Sequence, residues 1–311
     1  MACSIAAGFA AILRWHAELP TAIVVAALAI LAAWYNSLQH EVIHGHPTPW
    51  PAINTALASL PVGIVVPYSW YRTTHLTHHR EAHLTDPDLD PESFYVSPAV
   101  WDSYGPVGHA TLRAMRTLLG RMVLGPPLLT ARLIAAGWSA LRARPVATAL
   151  RVVRHAAGVA AVLAIVVVSG LPVWVYLLGA VWLGWSISLV RSFVEHRFVE
   201  GGNRSAVVHA GPAMSVLFLN NNLHLTHHAQ PGVAWYELPA VHASVDADIA
   251  AEQGAGVYTS YLDVVRQYAV RPFCQVVHPS GGATAGAAGG TDDQPAAPIV
   301  APSARAAGSW R

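Results

Sequence analysis

Two copies of one pattern constrain this chain more than anything else in it. His75-Leu76-Thr77-His78-His79 and His224-Leu225-Thr226-His227-His228 each place histidines at i, i+3 and i+4. On a helix those positions share one face. A shorter pair at i, i+4, His40 and His44, lies near the N-terminus. The surroundings make the repetition meaningful. Of 311 residues, 54% are hydrophobic and only 11% charged, where a soluble domain carries about 25%. Ionisable side chains in such a chain are costly unless they pair, face water or hold metal. The triplets therefore read as metal ligands. The isolated His16, His109, His155, His209, His242 and His278 read as ordinary hydrogen-bonded histidines.

The three clusters supply eight imidazoles: His40, His44, His75, His78, His79, His224, His227 and His228. One zinc ion takes about four ligands, so eight suit two ions. The two cysteines, Cys3 and Cys274, are far apart and form no CxxC pattern, which argues against a disulfide framework or a thiolate site. Imidazole-rich, thiolate-free ligation suits iron. The net charge of +1 gives no basic surface for nucleic acid. All 18 basic residues are arginine, consistent with a GC-rich bacterial genome.

Apolar runs define the fold class: an all-α, integral-membrane helical bundle of about four spans with a cytoplasmic histidine-rich cap. Residues 1–13 are apolar but short for a span. Residues 19–39 are long enough to cross a bilayer and run directly into His40 and His44. Pro47 and Pro49 stop that helix. Residues 52–70, broken by Pro61, Gly63 and Pro67, read as a re-entrant element that delivers the chain to His75. Residues 101–137 mix arginine with apolar side chains and read as an interfacial helix. Residues 156–169 and 173–190 form a hairpin with an uncharged tip, Gly170-Leu171-Pro172. Arg142, Arg144, Arg151 and Arg154 flank it on one side, Arg191 and Arg197 on the other. Positive-inside topology makes the arginine ends cytoplasmic, and every histidine cluster then meets on that face. Residues 244–273 read as one peripheral helix. The expected division is a membrane domain over 1–275 and a disordered Ala/Gly/Pro-rich tail over 276–311.

Boxes of the form HxxxH, HxxHH and HxxHH between hydrophobic hairpins resemble the integral-membrane fatty acid desaturase and hydroxylase superfamily, over roughly residues 19–239. The resemblance implies a membrane core of four helices and a cap holding a non-haem di-iron centre. It also implies use of dioxygen and two electrons to remove hydrogen from an unactivated carbon. It adds a ninth ligand between the second and third boxes, supplied here by His196 in Arg191-Ser192-Phe193-Val194-Glu195-His196. Related acyl-CoA enzymes place an asparagine four residues before that histidine. Ser192 stands there in this chain, and Asn220, Asn221 and Asn222 are the candidate replacements.

Metal-bound histidines commonly donate their other ring nitrogen to a carboxylate. Glu195 and Asp86 are the expected orienting carboxylates; His46 and His83 are expected to stay outside the ligand set. No haem, flavin or iron-sulfur motif is visible, so electrons are expected from a separate donor, a ferredoxin or similar protein with its reductase. The first function reading is desaturation of a fatty acyl or related lipid chain. The alternative is hydroxylation or ketolation of a lipid, alkane, carotenoid or small metabolite, since Trp235-Tyr236-Glu237-Leu238-Pro239 after the third box also resembles carotenoid ketolases. A histidine-rich metal transporter is a distant third, because the clusters lie at span ends rather than mid-membrane.

Overall fold

In the computed structural model, which describes residues 1–281, the chain enters as a helical hairpin, α1 (Ala2–Trp15) and α2 (Thr21–Ile43). The 14 residues of α1 reach about 21 Å, short of the ~30 Å hydrocarbon core. The 23 residues of α2 reach about 34 Å. α2 ends at His44, and Gly45 follows with φ of 101°, a conformation glycine adopts without penalty.

α3 (Pro51–Ala58) and α4 (Tyr68–His78) bracket the expected re-entrant stretch. The irregular backbone between them is held by side chains from three long helices. Tyr35 donates to Leu60 O at 2.7 Å and Tyr176 to Val62 O at 2.7 Å, while a His155 ring nitrogen bonds Ile64 O at 2.6 Å. Non-helical backbone in an apolar setting needs such partners. Two short helices, α5 (Pro98–Asp102) and α6 (Pro106–Ala114), then lead to α7 (Leu118–Ala143).

Among the described residues, four helices are long and apolar enough to cross a membrane: α2, α7, α8 (Pro145–Val168) and α9 (Val173–Ser192). The inclusion of α7 corrects the expectation of an interfacial helix over 101–137. Arg113 and Arg116 fall before α7 begins, and Arg121 turns inward and is buried, so the helix body is more apolar than the raw sequence suggests. α7 also passes unbroken through Pro126 and Pro127. Proline at 126 removes the amide that would bond the Met122 carbonyl. Ser186 of α9 replaces it, donating to Met122 O at 2.6 Å.

α9 packs against α2 at very short range. A Cβ at Gly179 would lie 2.8 Å from Val25 O, and one at Gly184 would lie 2.7 Å from Ala32 Cβ. Small residues permit such approach between apolar helices. The two glycines are five apart, which an α-helix would point in different directions. A π-helical stretch at Leu177–Leu183 has the i, i+5 repeat that brings them to one face.

The cap follows α9. It contains α10 (Pro212–Phe218), α11 (His224–Ala229), α12 (Leu238–Ala243), α13 (Ala247–Glu252) and α14 (Tyr261–Tyr268). One parallel pair of two-residue strands, β1 (Val207–Val208) and β2 (Val257–Tyr258), stitches it. The single helix expected over 244–273 is thus divided. Gly254 and Gly256 cause the break: Gly256 has φ of 114°, and a Cβ at Gly254 would meet Asn203 O at 2.1 Å. The cap core joins Leu118, Phe193, Val208, Phe218, Tyr258 and Val264. Packing continues beyond the expected domain boundary at 275. His278 is buried, and its backbone amide donates to Val96 O at 3.0 Å. The rest of the expected tail, 282–311, lies outside the described residues.

Candidate metal centre

Each histidine box enters the cap from a different element. α2 brings His40 on its last turn and His44 at its end; α4 brings His75 and His78, with His79 at its end; α11 brings His224, His227 and His228. His196 follows α9 by four residues. The structure gathers these nine imidazoles into two adjoining groups. His40, His44, His75, His79 and His227 form one; His78, His196, His224 and His228 form the other. Within each group the candidate ligand atoms all lie within 4.8 Å of one another. The rings of His79 and His228 stack at 4.1 Å and join the groups.

The far side of several rings fixes which nitrogen carries the proton. His78 Nδ1 faces Asp90 Oδ1 at 2.8 Å, and His75 Nδ1 faces both Glu92 oxygens at 3.2 Å. His224 Nδ1 faces Asn221 Oδ1 at 3.2 Å, and His196 Nδ1 faces the Arg204 carbonyl at 3.3 Å. A neutral imidazole donates from one nitrogen only. With Nδ1 donating to these acceptors, each Nε2 is a bare lone pair, and the lone pairs point at one another. His196 Nε2 lies 3.0 Å from His78 Nε2 and 2.9 Å from His224 Nε2. His75 Nε2 lies 3.2 Å from His44 Nε2 and 3.0 Å from His79 Nε2. His40 Nε2 and His228 Nε2 are buried without a hydrogen-bond partner among the described residues. Unshielded lone pairs this close repel, and a cation at the centre of each group removes the repulsion. The all-imidazole donor set therefore fits metal, and iron among the metals that imidazole suits.

Electrostatics keep the ligands in the form a metal needs. Burial pulls His44 and His196 down to about 3, helped by neighbouring imidazoles. Burial lowers His79, His224, His227 and His228 as well. All are neutral near pH 7 and can offer a lone pair. His78 is the exception: burial lowers it, but the Asp90 carboxylate outweighs that and raises it. Desolvation alone would raise Glu92, yet His75 holds it at about 2.

The carboxylates that orient the rings differ in part from expectation. Glu195 lies where expected, 3.5 Å from His224 Nδ1; it accepts from Asn221 Nδ2 at 3.1 Å and pairs with Arg191 Nε at 3.2 Å. Asp86 does not touch a histidine of either group. Its carboxylate accepts the backbone amides of Asp88 and Leu89 and shapes the loop. Asp90 and Glu92, unassigned in the sequence, hold His78 and His75 instead. Asp86, Asp88, Asp90 and Glu92 fall in one polar run, 86–92, and only the path of the loop decides which turn inward. Among the asparagines, only Asn221 reaches a ligand. Asn220 bonds the Trp235 carbonyl and Asn222 the Val208 carbonyl, so both brace the loop before α11. His46 bonds the Gly232 carbonyl and His83 bonds Glu81, both outside the groups.

A sequence model of one family, described as fatty acid desaturase, matches residues 13–261. The chain belongs to the fatty acid desaturase family. This places it among desaturase- and hydroxylase-type oxidoreductases, a family known for iron use, and its histidine groups are able to hold metal. No curated protein sequence matches it.

A cavity of about 500 Å³ opens beside the centre of this desaturase-family chain. His75, Glu92, Glu195 and His196 line one part. Leu60, Pro61, Leu129, Leu133, Ala136 and Trp185 line another. Its volume lies in the range of small-molecule sites, about 300–1,000 Å³. A third polar group, His209, His242 and Asp248, sits on the cap surface. There Asp248 Oδ2 bonds the His209 ring at 3.0 Å, and its Oδ1 lies 3.2 Å from His242 Nε2.

Proposed function

We propose that the chain is a membrane di-iron oxidoreductase that uses dioxygen and two electrons to desaturate a fatty acyl or related lipid chain. The observation that carries this is the pair of lone-pair-lined histidine groups, five and four imidazoles, opening onto an apolar cavity. In this reading His40, His44, His75, His79 and His227 hold one iron. His78, His196, His224 and His228 hold the other. Bound iron would supply oxygen activation, chemistry that side chains lack.

The protein does the rest. Asp90, Glu92 and Asn221 lock ring orientation, which second partners of metal ligands commonly do. Glu41 ties two boxes together, accepting the Trp235 amide at 3.2 Å from the last turn of α2. The apolar walls align an aliphatic chain past His75 and His196 and keep water away from the reacting carbon. Arginines flanking the α8–α9 hairpin support a cytoplasmic cap in a bacterial inner membrane. A separate electron donor, a ferredoxin or similar protein with its reductase, would approach that face.

The test is expression in a lipid-producing host, comparing the chain with its His227→Ala variant by mass spectrometry of lipids and small metabolites. The expected product has lost two hydrogens. Gain of one oxygen would assign hydroxylation instead. No histidine-dependent product, with iron loaded and a donor supplied, would refute the enzyme reading.

A further inference from the structure

Away from the two central groups, three side chains on the cap surface converge as metal ligands do. His209 directly follows β1, His242 lies in the last turn of α12, and Asp248 lies in the first turn of α13. Their candidate ligand atoms all lie within 4.8 Å of one another. The Asp248 carboxylate bridges the two rings: Oδ2 bonds His209 Nε2 at 3.0 Å, and Oδ1 lies 3.2 Å from His242 Nε2. Ligands held tetrahedrally at the bond lengths of zinc to imidazole and carboxylate stand about 3.3–3.4 Å apart. The two spacings are close to those that a bound ion imposes.

Ion pairing is a poor account of this cluster. One carboxylate carries one negative charge and cannot neutralise two imidazolium rings. The side chains of His209 and Asp248 are 46% and 44% exposed, and a pair so exposed contributes little. The His242 side chain is only 12% exposed. Its far nitrogen is already engaged, with Nδ1 2.7 Å from Thr226 Oγ1. With Nδ1 donating to that hydroxyl, Nε2 is a bare lone pair. It faces Asp248 Oδ1, a buried oxygen with no hydrogen-bond partner among the described residues. Two facing acceptors call for a cation between them. A ring nitrogen held from behind by a polar group is also how metal-bound histidines are oriented.

We propose that His209, His242 and Asp248 form a further metal site, which binds a zinc-class divalent ion and shares no residue with the two histidine groups. Imidazole suits zinc-class ions, whereas magnesium and calcium take oxygen ligands. Three protein ligands leave the fourth position of a tetrahedral ion to water. The site is tied to the third histidine box. Thr226, 1% exposed, stands between Leu225 and His227 on α11. The strand that carries the chain to His209 holds the same segment, since the Val208 amide donates to Asn222 O at 2.8 Å. An ion here therefore joins β1, α12 and α13 and braces α11 through Thr226. The proposal does not depend on what the two central groups hold.

The test counts zinc on the full-length, iron-loaded protein in lipid nanodiscs, equilibrated with buffered zinc, for the unaltered chain, His209→Ala and Asp248→Asn. The reading is the difference between proteins, so metal in the central groups cancels. The unaltered chain should carry one more zinc than either variant, with equal iron in all three. Zinc should raise the unfolding temperature of the unaltered chain more than that of either variant, because an ion that binds only the folded state stabilises it. Magnesium and calcium at the same concentration should not. If His209→Ala does not fold, Asp248→Asn, which keeps the size of the side chain, decides alone. An equal zinc count in all proteins overturns the proposal. So does calcium stabilisation equal to that of zinc, or a loss of zinc that is matched by a loss of iron, which would place the ion in the central groups.

Discussion

Asp90→Asn is the sharpest test of how the second histidine group is built. The Asp90 carboxylate accepts three N–H groups: His78 Nδ1 at 2.8 Å and the Glu92 amide at 2.9 Å on Oδ1, and the Thr85 amide at 2.8 Å on Oδ2. It is 3% exposed and His78 is 1% exposed, so water cannot substitute. Asparagine offers one oxygen for two positions. With its oxygen toward His78, its amide group confronts the Thr85 N–H. Flipped, it confronts His78 and Glu92 instead. Either way a buried donor is orphaned, at a cost of about 1–3 kcal/mol. Losing the charged partner of a ligating imidazole lowers metal affinity about 10- to 100-fold. On the proposed di-iron reading, the expected result is selective loss of the iron assigned to His78, His196, His224 and His228. Iron content measured after timed exposure to a chelator should fall from two toward one per chain, with a lower unfolding temperature. Asp86→Asn is the control. One oxygen accepts both backbone amides there, and asparagine keeps that oxygen, so both irons should remain. If Asp90→Asn retained both irons as well as the unaltered protein does, the assignment of His78 orientation to Asp90 would be wrong.

Acid should weaken the chelator-stripped protein in a defined window. His44 and His196 sit near 3 in the fold, against about 6.5 unfolded. Between those values the unfolded chain binds more protons, so stability falls as pH drops, by about 1.4 kcal/mol per pH unit for each such group. Denaturant unfolding measured between about pH 8 and pH 5 should show the decline beginning below ~6.5, and a flat profile contradicts buried neutral imidazoles. Ser186→Ala should cost about 1 kcal/mol by stranding the Met122 carbonyl beside Pro126; an unchanged unfolding temperature refutes that role. Gly179→Val should separate α9 from α2 and cost about 1–3 kcal/mol from overpacking, visible as lower yield of folded protein; a wild-type yield and stability would show that the two helices can part without penalty.

Much of the fold was legible because apolar runs must be buried in lipid or core. The spans over α2, α8 and α9 follow from run length alone. α7 was misread because its arginines count equally in a sequence, whereas in the fold Arg121 is withdrawn from the surface. The break in the helix expected over 244–273 was signalled by Gly254 and Gly256, but the need for glycine at 254 depends on Asn203, about 50 residues upstream. Asp90 and Glu92 were hidden for a related reason. A run of acids in a loop has no periodicity, so nothing local distinguishes the one that turns toward a histidine from the one that caps a backbone.

The sequence by itself determined which histidines come together. Spacing at i, i+3 and i+4 puts three rings on one side of a helix whatever surrounds it, and all nine candidates converge. It could not determine how they divide. Residues four apart on a helix differ by about 40° and residues three apart by about 60° in the opposite sense, so each triplet splits into a pair and a single. In the second box His75 and His79 go one way and His78 the other. In the third, His224 and His228 pair and His227 departs. Only the docking of α4 against α11 joins the pair from one box to the single from the other. That docking is set by contacts between residues far apart in sequence, which is why the two-group architecture belongs to the tertiary structure.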